Sequence, residues 1–157
     1  MKTMYVCSPY RGDIKTHKEY ARHLTKAALN AEFAPVTPHL YMTECLDDSK
    51  ANERETGLAA ALAVLAKCDA LVFGNRYGVS SGMETEIKFA LEHKIPVYWA
   101  YQPSGDNRYE IVDLSATIKR LAHFVKTALE AAADVFNQIA ASYEAINEEK
   151  DKQGGKQ

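Results

Sequence analysis

Apolar positions along this chain follow two rhythms. Short runs of β-forming residues at 3–8 (TMYVCS), 33–37, 70–74 and 95–101 predict buried strands, and a weaker run at 109–112 predicts a short fifth strand. Helical spacing fills the intervals. Over 14–32, Tyr20, Leu24, Ala27, Ala28 and Ala31 fall near one face, with Asp13 as the expected N-cap. Residues 53–67 are rich in Ala and Leu, and 82–93 carry a stripe of Met83, Ile87, Ala90 and Leu91. A long helical pattern runs from 114 to about 145, with room for one break. Its broad apolar stripe is expected to cover the sheet of its own chain, and its excess length suggests a subunit contact and a homo-oligomer. Residues 39–52 fit neither rhythm and read as a functional loop or lid.

Strands alternating with helices predict right-handed βαβ units and a three-layer α/β fold of flavodoxin or Rossmann-like type. The expected order is 2-1-3-4, with a fifth edge strand and a long C-terminal helix. Such sheets bind ligands at the carboxyl ends of their strands, where the order reverses. That rule nominates the loops 8–13 and 75–81. The domain is expected over 1–146, followed by a charged, disordered tail over 147–157.

Composition narrows the function classes. With 157 residues, 46% hydrophobic and 25% charged, the chain suits one globular domain. A formal net charge of -2 gives no general attraction to nucleic acid or anionic membrane, so neither is expected as a partner. Cys7, Cys45 and Cys68 are odd in number and widely spaced, and the five histidines are scattered. Neither a disulfide framework nor a metal site is expected. With no signal peptide or membrane span in view, the expected location is cytoplasmic.

Candidate chemistry gathers on the two nominated loops. In Ser80-Ser81-Gly82-Met83-Glu84-Thr85-Glu86, the spacing of Ser81 and Glu84 fits a capping box, which gives Glu84 a structural job. Glu86 has none. It borders the apolar stripe near a helix start, where the helix dipole favours an ionised carboxylate able to act as base, ligand or nucleophile. A solvated surface glutamate is the competing reading. On the first loop, Ser8, Arg11 and the backbone at Gly12 fit an anion site, although Arg11 also fits the surface and Gly12 a mere turn. Asp69, at the start of the third strand, reads as turn chemistry at the edge away from the cleft. Asp47 and Asp48 read as solvated loop acids with some reach toward the cleft. Trp99, Tyr98 and Tyr101 read as core or sheet-edge residues, and Tyr10 and Tyr77 are the better candidates for stacking on a base.

The segments Tyr5-Val6-Cys7-Ser8-Pro9-Tyr10-Arg11-Gly12, Cys68-Asp69-Ala70-Leu71-Val72, Ser80-x-Gly82-Met83-x-x-Glu86-Ile87 and Lys94-Ile95-Pro96-Val97 together resemble the nucleoside 2-deoxyribosyltransferases. They are especially similar to the 2′-deoxynucleoside 5′-monophosphate N-glycosidases among them, and to uncharacterised bacterial and phage relatives. The resemblance spans roughly residues 5–97. It implies Glu86 as nucleophile and Tyr5 as the tyrosine that orients it. It implies Ser8, Arg11, Gly12 and Ser81 around a 5′-phosphate, with Ser80 and Gly82 as further substrate-binding positions and Glu55 near the sugar. Three departures stand out: Glu84 replaces a glycine, Pro9 replaces a small polar residue, and the transferases' base-contacting aspartate has no counterpart.

The expected reaction is therefore cleavage or transfer at the N-glycosidic bond of a nucleoside or its 5′-monophosphate. Glu86 would form a sugar ester that water or a second base resolves. The resemblance implies a small-molecule nucleoside or nucleotide as partner and no cofactor. The proton donor for the leaving base cannot be read from the sequence. A nucleotide-binding or sensing module without turnover is the alternative. A phosphoribohydrolase of the cytokinin-activating kind fits less well, because its fuller glycine-rich loop is missing.

Overall fold

Five apolar runs become the five strands of one sheet, and the helical stretches become its connections. In the computed structural model, which describes residues 1–105 and 107–154 with side chains to residue 139, the strands are β1 (Lys2–Cys7), β2 (Phe33–Val36), β3 (Ala70–Gly74), β4 (Val97–Tyr101) and β5 (Glu110–Asp113). The helices are α1 (Ile14–Asn30), α2 (Ala51–Leu65), α3 (Ser81–Glu92) and α4 (Leu114–Gly154). The side chains of the tail expected over 147–157 lie outside the described residues. Two compact units form: Met1–Thr117, which holds the whole sheet, and Ile118–Gln157, which holds most of α4.

The sheet order is β2-β1-β3-β4-β5, as the alternation predicts. The first four strands are parallel and β5 is antiparallel to β4. β1 lies inside the sheet and is fully buried from Met4 to Cys7, which is why that stretch reads as an unbroken apolar run. Alternate residues of β1 feed two cores. Met4 and Val6 pack with Tyr20, Leu24 and Ala28 of α1, whereas Tyr5 and Cys7 pack with Leu65 of α2 and Met83 and Ala90 of α3.

Several local rules act as read. Asp13 caps α1 by accepting the Thr16 N–H at 3.1 Å. Asp69 accepts the backbone N–H and the hydroxyl of Thr3 at 2.7 and 2.8 Å, tying the starts of β1 and β3 together at the edge away from the strand ends. The cap of α3 differs by one residue from the expectation. Ser80, not Ser81, is the N-cap and accepts the Met83 N–H, so the expected Ser81–Glu84 capping box does not form and Glu84 is exposed. In Ser80-Ser81-Gly82 either hydroxyl can cap, and packing of Met83 into the core selects the register.

Within the unit Ile118–Gln157, the apolar stripe read along α4 runs through Leu121, Phe124, Val125, Val135, Phe136 and Ile139.

Candidate active site

The end of β1 and the first turns of α3 meet beside the 39–58 segment, and a cleft of about 160 Å³ opens there. α3 starts at Ser81, so Glu86 lies one and a half turns in, on the same stripe as Met83 and Ala90. That position turns it inward. Glu86 is 3% exposed and lines the cleft.

β1 supplies its partner. The Tyr5 hydroxyl donates to Glu86 Oε1 at 2.6 Å. Burial, and then the Glu86 carboxylate, push the Tyr5 phenol far above its ordinary range, so it is fixed as a donor. The Cys7 thiol is likewise pushed well up by burial and by Glu86, and is held as a thiol. The second carboxylate oxygen, Oε2, is buried and has no hydrogen-bond partner among the described residues. Groups like this are costly unless a ligand or a reaction uses them.

At the rim, Asp48 gathers two guanidinium groups. Arg11 donates from Nε to Asp48 Oδ2 at 2.6 Å and from a terminal nitrogen to the Asp48 carbonyl at 2.7 Å. Arg54 donates to the same Oδ2 at 3.0 Å and reaches the Ser81 hydroxyl at 3.4 Å. Two cations on one carboxylate leave a surplus positive charge beside the N-terminus of α3, where Ser80, Ser81 and Gly82 line the cleft.

Inside, the wall is apolar, built from Met42, Leu46, Leu58, Ala61 and Met83. His39 stands over it, stacked on Tyr10 with ring centroids 5.8 Å apart and with Nδ1 3.4 Å from the Ser8 hydroxyl. Burial holds the His39 imidazole below its ordinary value, against the opposing pull of Glu86 and Asp48. The His39 imidazole and the Glu86 carboxylate thus line one largely apolar pocket.

The sequence candidates therefore divide. Glu86, Arg11, Ser80, Ser81 and Gly82 all line the cleft, with Tyr5 and Ser8 fully buried immediately behind it. Gly12 does not line it; its φ of 96° serves the turn into α1. Glu55 is exposed and outside the cleft, while its neighbours Glu53 and Arg54 line it. Tyr10 is in the cleft as expected, but Tyr77 packs edge-on to Tyr20 beside α1 in a separate groove. Of the loop acids, Asp48 reaches the cleft and Asp47 instead caps Ser49. Sequence reasoning missed His39 and Arg54. The lid reading of 39–52 contained the signal for His39, since an aperiodic segment after a strand end is where such residues sit. Among the described residues no cluster of side chains is arranged to hold a metal ion, and no helix is long and apolar enough to cross a membrane.

Comparison with known proteins agrees with this architecture. A 2-deoxyribosyltransferase from the psychrotolerant bacterium Bacillus psychrosaccharolyticus has a similar fold, with a TM-score of 0.51 at 14% identity, over 66% of this chain and 74% of that one. A 2-deoxyribosyltransferase from Leishmania mexicana is similar at a TM-score of 0.45 and 16% identity, over 63% of each chain. No curated protein matches. Residues 2–100, which span the first three strands, all but the last residue of the fourth and every residue lining the cleft, match the family described as a domain of unknown function, DUF7768, and the chain belongs to that family.

Proposed function

We propose that this chain cleaves or transfers at the N-glycosidic bond of a nucleoside or its 5′-monophosphate, with Glu86 as the nucleophile. The observation that carries this reading is the buried Glu86 carboxylate, with one oxygen held by Tyr5 and the other unpartnered in the cleft. A carboxylate anchored through one oxygen keeps a lone pair on the other directed at a bound sugar. The fold shared with a 2-deoxyribosyltransferase supports the same reading.

In the first half-reaction Glu86 Oε2 attacks C1′ and the C1′–N bond breaks, its electrons going to the base. The base must gain a proton as it leaves. His39 in its protonated form is the group in the cleft suited to deliver it, because Asp48 is committed to two arginines and Glu53 to Lys50 and the Asp47 N–H. In the second half-reaction water or a second base attacks C1′ of the sugar ester. His39, now neutral, takes the proton back and the Glu86 carboxylate is restored. The apolar wall suits a purine or pyrimidine face, and the arginine pair with the α3 N-terminus suits a 5′-phosphate.

The test is incubation with deoxynucleosides and their 5′-monophosphates, followed by chromatography for free base. Glu86→Gln should lower base release by about 10³-fold or more while the protein stays folded. Unchanged release in a folded Glu86→Gln protein would overturn the mechanism. A binding module without turnover draws on one different observation: Asp48 already occupies both arginines, so a ligand anion would compete with it and shift the loop. Calorimetric binding of a nucleotide with no base released would favour that reading.

A further inference from the structure

We propose that the groove between α1, the loop after β3 and the segment before β5 is a second ligand site, for a phosphate monoester carried on an aromatic ring. The groove has a volume of about 610 Å³, against about 160 Å³ for the cleft, and the two share no lining residue. Every residue that lines the groove lies within the unit Met1–Thr117. Its volume is that of an ordinary small-molecule site.

The anion follows from Arg76. Its Nη1 donates to the Tyr109 hydroxyl at 2.9 Å and to Asn107 Oδ1 at 3.2 Å, and the guanidinium stands over the Tyr77 ring, 5.4 Å from its centroid. These partners are neutral, so they fix the guanidinium plane without cancelling its charge. Nε and Nη2 form one edge of the fork and have no hydrogen-bond partner among the described residues. Such an edge takes two oxygens of one anion at once. The acids of the groove are committed elsewhere. Asp13 accepts from Thr16, and Glu19 pairs with Arg22 at 3.2 Å and with His23 at 3.4 Å. The Arg76 guanidinium and the Lys15 ammonium have no carboxylate in salt-bridge distance among the described residues. Two free cations in one groove favour a phosphate monoester, with a charge of about −1.5 to −2, over a carboxylate.

The ring follows from the wall. Tyr20, Tyr77 and Tyr109 line the groove, with Tyr20 edge-on to Tyr77 at 5.2 Å and to Tyr109 at 5.4 Å between centroids. Tyr77 remains 42% exposed. Tyrosines held in this way offer a flat ligand ring contact at little cost in entropy. Arg76 and Tyr77 are also presented together. They are the two central residues of the Asn75–Gly78 turn, which one backbone hydrogen bond of 3.0 Å closes, and the Tyr20 hydroxyl accepts the Arg76 backbone N–H at 3.3 Å. Cation and ring are thus set side by side before any ligand arrives.

Trp99 is the built-in reporter. It is the one tryptophan of the chain, and its indole N–H donates to the Asn75 side chain at 3.1 Å, next to Arg76. Titration of the full chain with phenyl phosphate should change Trp99 emission with saturation, and calorimetry should return the same affinity. Benzoate and inorganic phosphate should each bind more weakly. Arg76→Gln should weaken phenyl phosphate about 10-fold to 100-fold with circular dichroism unchanged. Arg76→Lys keeps the charge and loses the fork, so it should weaken binding by a smaller factor, and it carries the comparison if Arg76→Gln does not fold. Arg11→Gln, which alters the cleft, should leave the Trp99 response in place. None of these readouts involves Glu86 or turnover. No saturable response, a response unchanged in the Arg76 variants, one lost in Arg11→Gln, or benzoate or inorganic phosphate binding as tightly as phenyl phosphate would each overturn the proposal.

Discussion

Tyr5 and Glu86 divide the work of one hydrogen bond. Removing the hydroxyl in Tyr5→Phe takes from the buried carboxylate its 2.6 Å hydrogen bond, which should destabilise the fold by about 1–3 kcal/mol. On the proposed mechanism kcat should also fall, by about 10-fold to 100-fold, with KM little changed, because the phenol positions the nucleophile and does not hold substrate. Denaturant titration and steady-state kinetics separate the two effects. His39 makes a different prediction. Its folded pKa is held below the ordinary 6.5 by burial, so the folded state favours the neutral ring. The stability it contributes is complete above pH 6.5 and is lost as pH falls through the lower folded value. Denaturation midpoints at pH 7 and pH 5 should therefore differ more in the native protein than in His39→Asn. In the same variant, the decline of kcat/KM with rising pH assigned to the protonated ring should disappear.

At the scale of elements, the strands and helices were legible because each buries a regular face. β1 from Met4 to Cys7 and the whole of β3 are apolar because helices cover both sides, and α1 carries its stripe on Tyr20, Leu24 and Ala28. What the sequence hid were choices made by tertiary packing. Which of two adjacent serines caps α3 depends on where Met83 enters the core, and which side of the sheet Tyr77 takes depends on the turn at Asn75–Gly78, closed by one backbone hydrogen bond of 3.0 Å. His39 and Asp48 were unreadable as a pair because the 3-10 turns Pro38–Leu40 and Met42–Glu44 have no side-chain period to betray them. Gly74, at the end of β3, shows how tightly α1 meets the sheet. A Cβ there would stand 2.2 Å from the Tyr20 hydroxyl and 2.8 Å from Leu24. Gly74→Ala should cost about 1–3 kcal/mol and lower the melting temperature, measured by calorimetry, with the loss tracing to α1.

Across the whole molecule, the two edges of the sheet have separate tasks. The strand ends carry the cleft, while the opposite edge is fastened by Asp69 and Thr3. The Thr3 backbone N–H, and then its hydroxyl, hold the Asp69 carboxyl below its ordinary value, so this fastening persists at neutral pH and weakens as pH falls through that lowered value. Asp69→Ala should lower the melting temperature and leave ligand affinity in the cleft unchanged, which thermal scans and calorimetric titration would check together.

The phenol and carboxylate that meet in the cleft are 81 positions apart, and the Thr3–Asp69 fastening spans 66. Contacts so distant along the chain form only after the β1–β3 pairing has closed. During synthesis, a ribosome-bound chain that has emerged only through β3 carries Tyr5 but not yet its partner Glu86. On the proposed function, reactivity toward nucleosides thus arrives late in the life of each molecule.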